Sequence, residues 1–303
     1  MKTTDAAPSA QDAATPGTAS IATRSLKVAA GLFTVLIGLT LCTLIDGSEL
    51  QAAEPIWSNQ ITPLSRRQGA EIRPVRLLYE VSWSKWLQAG TIRMNFDPQQ
   101  GAAVQARAKT RSSGPVRAFW PYEGSTRTTI SAKTLYPSRF EHTQREHDER
   151  AEYRATYRND RMRVESSLTP TDGRDTEHET RVYELGQIRD ILSTLLYLQQ
   201  TELRDGKDIV LLVQPLDRLY LVTFEVVGSE ARMVFDKTWK TKKLEIRIRK
   251  ITDDFQLAPY TKMRRATIWL SDDDYRVPVE IQADLRIGFV SVRLASLDAP
   301  QRR

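Results

Sequence analysis

From Val75 onward the chain alternates apolar and polar side chains, and this rhythm restricts the fold more than any other feature of the sequence. A period of two sends successive side chains to opposite faces of an extended backbone, so each run reads as a strand with one face for a core and one for water. Leu77, Tyr79, Val81 and Trp83 alternate with Leu78, Glu80 and Ser82. Gly90 reads as a turn, and Ile92, Met94 and Phe96 then carry the pattern back as the second arm of a hairpin. Further strands are expected over 104–110, 126–132, 139–145, 151–158, 162–168 and 179–185, then over 209–213, 219–227, 232–235, 244–251, 264–270, 277–284 and 289–295. Many of them pair an apolar face with a charged one, the mark of an antiparallel sheet between core and solvent.

One segment departs from the period. Between Gln187 and Arg204, Ile188, Ile191, Leu192, Leu195, Leu196, Leu198 and Leu203 recur at helical spacing between Gly186 and Gly206. A dozen or more strands around one amphipathic helix exclude the repeated strand–helix alternation of doubly wound nucleotide-binding folds. The expected fold is mainly β: a strongly curved antiparallel sheet, or open half-barrel, with the helix packed on its concave side as plug or lid. Residues 75–297 read as a single domain after a flexible lead-in over 54–74, with 298–303 a frayed tail.

Upstream lies a targeting pattern. Residues 1–23, rich in Ala, Thr, Ser and Pro, offer no apolar face and read as disordered. Arg24 and Lys27 precede eighteen uncharged residues, Val28 to Ile45, and the small pair Ala52 and Ala53 follows a short polar stretch. Positive flank, apolar run and small-residue exit make residues 1–53 an export segment, cleaved after Ala53, and the protein periplasmic. An uncleaved inner-membrane anchor over 28–45 is the alternative, since eighteen apolar residues approach the roughly 20 that span a bilayer. The lone Cys42 falls inside the apolar run, so the exported body has no disulfide. No later segment is apolar enough to be a second span.

The formal net charge of +6 favours anionic partners. Export removes nucleic acid from reach and leaves lipid headgroups or acidic envelope polymers, with an envelope protein as the other partner to weigh. Groups for catalysis are scarce. The three histidines, His142, His147 and His178, stand in charged sequence and read as exposed. His142 and His147 are an odd number apart on one strand, so they point to opposite faces and cannot share a metal. Asp272 to Asp274 lacks the ligand spacing of a calcium loop and reads as a hairpin turn. No Gly-rich phosphate loop and no nucleophile elbow occurs. The reading assigns no catalytic residue, no metal and no cofactor, and leans away from an enzyme.

Ligand-binding candidates come from two stretches. Arg154, Arg158 and Arg161 are interleaved with Tyr153 and Tyr157, and arginine forks suit phosphates while tyrosines suit sugars or lipid interfaces. Trp120 and Tyr122, in the run Phe119-Trp120-Pro121-Tyr122, would form an aromatic lip over the barrel mouth or pack into the core.

The run Ala266 to Leu294 resembles the C-terminal hallmark of the DUF 3108 family, a domain of unknown function in exported bacterial proteins. The features that agree are Ile268-Trp269-Leu270, the acidic turn Asp272 to Asp274, Val277-Pro278-Val279 and Gly288. The opening Leu78-Tyr79-Glu80-Val81-Ser82-Trp83 with Ala89-Gly90, and Arg189-Asp190-Ile191-Leu192-Ser193 running into Leu196-Tyr197, look like further landmarks. The resemblance covers about residues 75–297 and implies a periplasmic β-rich protein of a Gram-negative envelope, without a catalytic residue set. The functional expectation is a non-catalytic periplasmic protein binding a lipid or other anionic envelope component in a β half-barrel. A scaffold for an envelope assembly is the alternative, and a cell-envelope hydrolase the third reading.

Overall fold

The alternating segments pair into one sheet. The computed structural model of the protein describes residues 55–84 and 86–299. The export segment, with Cys42 and the bond after Ala53, lies outside the described residues, as does the tail from 300. Among the described residues no helix is long and apolar enough to cross a membrane.

The first half is an antiparallel meander of β1 (Val75–Trp83), β2 (Leu87–Gln99), β3 (Ala103–Ser112), β4 (Tyr122–Ser131), β5 (Pro137–Glu146), β6 (Glu149–Tyr157), β7 (Met162–Pro170) and β8 (Glu177–Tyr183). A short helix α1 (Gly114–Phe119) sits between β3 and β4. The second half runs through β9 (Ile188–Arg189), helix α2 (Ile191–Gln200), β10 (Asp208–Val213), β11 (Tyr220–Val234) and β12 (Lys237–Ile251). It ends with β13 (Leu257–Pro259), β14 (Arg265–Ser271), β15 (Pro278–Asp284) and β16 (Phe289–Asp298). β16 pairs antiparallel with β1, with Tyr79 opposite Leu294 and Trp83 opposite Val290, and this joins the halves into one curved sheet whose path runs from β8 to β9. It is the open, curved antiparallel architecture expected from the alternation.

Among the described residues the sheet does not close by a backbone ladder. Its two ends are held by side chains instead: Tyr157 donates from Oη to Gln214 Oε1 at 2.5 Å, and Tyr183 from Oη to the Asp217 carbonyl at 2.8 Å. Asp253 pairs with Arg181 at 3.2 Å and with Arg218 at 2.9 Å. A hydrophobic cluster of Phe140, Tyr153, Met162 and Tyr183 from one end with Leu212, Leu219 and Leu221 from the other packs beneath this seam.

Helix α2 fills the concavity and is shorter than its apolar spacing suggests. Asp190 ends the extended backbone, and its Oδ1 accepts from Leu192 N at 2.8 Å, Ser193 N at 3.2 Å and Thr128 Oγ1 at 3.1 Å. Such a cap satisfies helix-terminal donors that would otherwise be orphaned in a dry interior. Ile188 and Arg189 therefore pair with β10 as a strand, although their apolar spacing had placed them in the helix. Every residue from Leu192 to Gln200 is buried, so α2 is a plug. Each buried leucine there contributes about 2 kcal/mol by removal from water. Arg189 is 1% exposed, and its guanidinium lies between the rings of Tyr136 and Tyr197, 4.0 and 4.5 Å from their centroids. Those faces offset part of the cost of a buried cation.

Three local expectations change. Gly90 is inside β2, opposite Val81, and the hairpin turns between Trp83 and Leu87, because a β-bulge at Val81/Ser82 absorbs the irregularity that the Gly marks. The polar stretch after Val227 does not end a strand: Gly228, at φ 148°, forms a bulge and β11 continues to Val234. The lead-in read as flexible is hydrogen-bonded to the body. Trp57 is buried and donates from Nε1 to the Phe255 carbonyl at 2.8 Å, Thr62 N donates to Val210 O at 2.8 Å, and Arg67 N donates to Gln200 O at 3.0 Å. It takes up the carbonyl end of α2, which would otherwise be unsatisfied.

Candidate functional site

The apolar wall that α2 turns toward β10–β15 does not meet the sheet everywhere. Between them lies a cavity of about 150 Å³, walled by Ile191, Leu195, Phe224, Ile248, Ile268 and Ala283. A second void of about 40 Å³ lies behind Ile191, Leu195 and Ile281, toward Tyr79, Ile92 and Phe140. Alternation explains the lining: Val222 and Phe224 on β11, Ile246 and Ile248 on β12 and Ala266 and Ile268 on β14 are inward positions of neighbouring strands. The two alanines that face each other, Ala266 and Ala283, leave the space that larger residues would fill.

Polar groups gather at one end. Tyr220 and Tyr260 meet edge to face at 5.7 Å, and burial pushes both hydroxyls up. Asp217, also on the lining, is 2% exposed and its carboxyl is raised by burial, with Arg218 Nε 3.6 Å away. Lys262 lies between the lining residues Tyr260 and Met263. Partial burial, then the nearby charge of Lys250, lowers its ammonium pKa, so an anion at this end would be welcomed by both lysines. The Thr194 hydroxyl is buried on the cavity wall with no hydrogen-bond partner among the described residues. A ligand oxygen would satisfy it.

The predicted ligand residues do not form one site. On β6 the arginines and tyrosines alternate, so Tyr153 points into the core at 3% exposure while Arg154 points outward to Glu152 at 3.0 Å. Arg161 pairs with Glu184 at 3.1 Å on the surface, Arg158 is exposed, and Tyr157 is committed to the seam through Gln214. Trp120 and Tyr122 are buried and stack at 5.0 Å, so they belong to the core, and Phe119 alone of that run is exposed. The period that located the strands separates these residues, because side chains at neighbouring positions cannot share a face.

His142 was expected in solvent and is 1% exposed. Its Nδ1 lies 2.8 Å from Thr126 Oγ1 and its Nε2 3.3 Å from Gln144 Oε1, and burial lowers its pKa to about 4. Both nitrogens are used in holding a neutral ring. His147 sits in the β5–β6 turn and His178 on the edge strand, both exposed. Asp272 to Asp274 lie in the β14–β15 turn, where Asp273 Oδ1 accepts from Ser271 Oγ and from the amides of Tyr275 and Arg276 at 2.9 to 3.0 Å. Among the described residues no group of three or more His, Cys, Asp or Glu side chains is placed to hold a metal.

The cavity residues were missed because they are ordinary core types on inward positions. Ala266 and Ala283, small residues directly opposite each other on paired strands, are the one sequence signal that could have pointed there.

The fold and its cavity define a class: open β half-barrels with a central helix. Within it, this chain belongs to the family of proteins of unknown function DUF3108, whose profile matches residues 78–295. No curated protein matches the sequence. Among solved structures, the chain is similar to a β-barrel-like protein of domain of unknown function DUF1849 from Brucella abortus. That likeness has 14% identity and a TM-score of 0.49, and covers 77% of this chain and all, 100%, of the other. A candidate lipoprotein from Parabacteroides distasonis is similar at 8% identity and TM-score 0.34, over 77% of this chain and 99% of its own. A candidate exported protein with a YmcC-like fold from Bacteroides fragilis is similar at 6% identity and TM-score 0.33, over 78% and 100%.

Proposed function

We propose that the protein is a non-catalytic binding module of the periplasm that takes a single-chain amphiphile with an anionic head into the space between α2 and the sheet. The observation that carries this reading is the apolar cavity of about 150 Å³ with lysines beside one end. A dry apolar cavity of roughly that size holds a small hydrocarbon. It is smaller than the roughly 300–1,000 Å³ of drug-sized ligand sites, which favours one slender chain over a two-chain phospholipid. Thr194 and the Tyr220–Tyr260 pair supply the polar contacts that fix such a guest, and Lys250 and Lys262 receive its head.

The test is calorimetric titration of the delipidated protein with laurate. Saturable binding with a negative heat-capacity change is expected. Ala283→Phe, which fills the cavity from its own wall, should remove binding while leaving the circular-dichroism spectrum intact. No heat with laurate, or equal binding by the filled variant, would leave the envelope scaffold as the better reading. Localisation is tested separately, by fractionation and N-terminal sequencing: a periplasmic chain starting at Glu54 agrees with export, and a cytosolic chain that keeps residues 28–45 does not.

A further inference from the structure

Outer-face charge is distributed unevenly over the first half of the sheet. On β6 and β7 the arginines are matched to acids: Arg150 and Arg154 to Glu152, Arg163 to Glu165. On β2 to β6, by contrast, like charges stand directly opposite each other across strands. Arg93 faces Lys109, Arg107 faces Arg127, and Arg145 faces Arg150, while on their other side Arg127 has Glu141 and Arg145 has Glu123 opposite. Arg93, Arg107, Lys109, Arg127 and Arg145 are exposed, and among the described residues none has a carboxylate within 4.0 Å. Such pairs destabilise a sheet by several tenths of a kcal/mol each. Arg93, Lys109, Arg111, Arg117, Arg145 and Arg150 line one open groove of about 770 Å³, with Glu123 as its carboxylate.

The rim beside this groove carries exposed apolar side chains. Trp86 is 85% exposed in the β1–β2 turn, Phe119 67% at the end of α1, and Ile287 57% in the β15–β16 turn. All three lie at one end of the contiguous strands β15, β16, β1, β2, β3 and β4. The two turns abut, since a Cβ on Gly288 would come within 2.6 Å of Ser84 Oγ. Helix α1 is tied to the start of β2 by Ser113 N donating to Ala89 O at 2.9 Å. Arg117 stands two residues before Phe119 in α1, and the exposed Arg286 adjoins Ile287.

From these two features together we infer that this rim is a membrane-docking surface for an anionic phospholipid bilayer, with Trp86, Phe119 and Ile287 entering the headgroup region and the β2–β6 cations lying against its phosphates. A soluble polyanion would use the charge and leave three large apolar groups in water. A bilayer uses both, through apolar burial at the interface and attraction of cations to anionic headgroups. The docking surface does not depend on the cavity being a ligand site.

The test is quenching of tryptophan fluorescence in the full chain by vesicles of brominated phosphatidylglycerol, read as the difference from Trp86→Phe so that any insertion by the N-terminal apolar run cancels. A quenched component that vanishes in Trp86→Phe is expected. The double variant Lys109→Gln/Arg145→Gln should raise the lipid concentration needed for that component on the order of twentyfold, from about fivefold per surface cation. Phe119→Ala should raise it less, and laurate titration should be unchanged in all three variants. Equal quenching in wild type and Trp86→Phe overturns the inference. So does equal quenching by brominated phosphatidylcholine.

Discussion

The two halves of the sheet are built from the same alternation and finish differently. Inside the meander β1–β8, inward residues such as Val104, Ile130 and Met162 are at 0% exposure, and the buried side chains of His142 and Thr128 are hydrogen-bonded. Inside β9–β16 the same kind of apolar residue borders the cavity of about 150 Å³. The meander side borders the smaller void of about 40 Å³, and the other side of α2 borders the larger one. Incomplete packing forfeits dispersion contacts, so the second half carries a larger cost than the first. The contrast separates a half with little free interior from a half with the larger cavity.

Matched truncations should show the largest effect. Ile130→Ala removes a side chain with contacts on all sides and should destabilise by about 4 kcal/mol, whereas Ile268→Ala, on the cavity wall, should cost about 2 kcal/mol. Chemical denaturation with unchanged m-values measures both, and equal costs would erase the distinction between the halves. Acid comes next. His142 is neutral in the folded meander with a pKa lowered by burial to about 4, while the unfolded chain titrates near 6.5. The unfolded state therefore binds a proton first as pH falls. Stability should drop progressively below about pH 6.5, by about 2 kcal/mol at pH 5, and the loss should end near pH 4. His142→Phe should remove that segment of the pH profile, and a profile identical to wild type would show that the ring is not buried neutral. The smallest effect belongs to the surface: Arg154→Gln loses one exposed pair with Glu152 and should shift stability by less than about 0.5 kcal/mol.

The sheet was legible because period two is a local property, and nearly every expected strand falls on an observed one. What alternation could not give was which strands sit next to the gap. His142 was within reach of the same rule: Phe140 and His142 are two apart on β5, so the face that buries one buries the other, and the charged residues around them were a misleading guide. The mixed Arg and Tyr set is contiguous along the chain, and alternation divides it between core and solvent. The start of α2 was displaced because apolar spacing does not register a cap, and Asp190 stands inside the apolar run. The rim of Trp86, Phe119 and Ile287 joins segments far apart in the chain, and only strand order brings them together.

The seam between the sheet's two ends lies beside the cavity, since Asp217 and Arg218 belong to both. A cylinder laced by backbone ladders around its full circumference has a fixed bore, because widening it breaks a whole row of amide bonds at once. Here two tyrosine hydroxyls and the ion pairs of Asp253 are what must part, together with the packing beneath them. On that side the circumference of the sheet is set by side-chain contacts, not by a row of backbone amides.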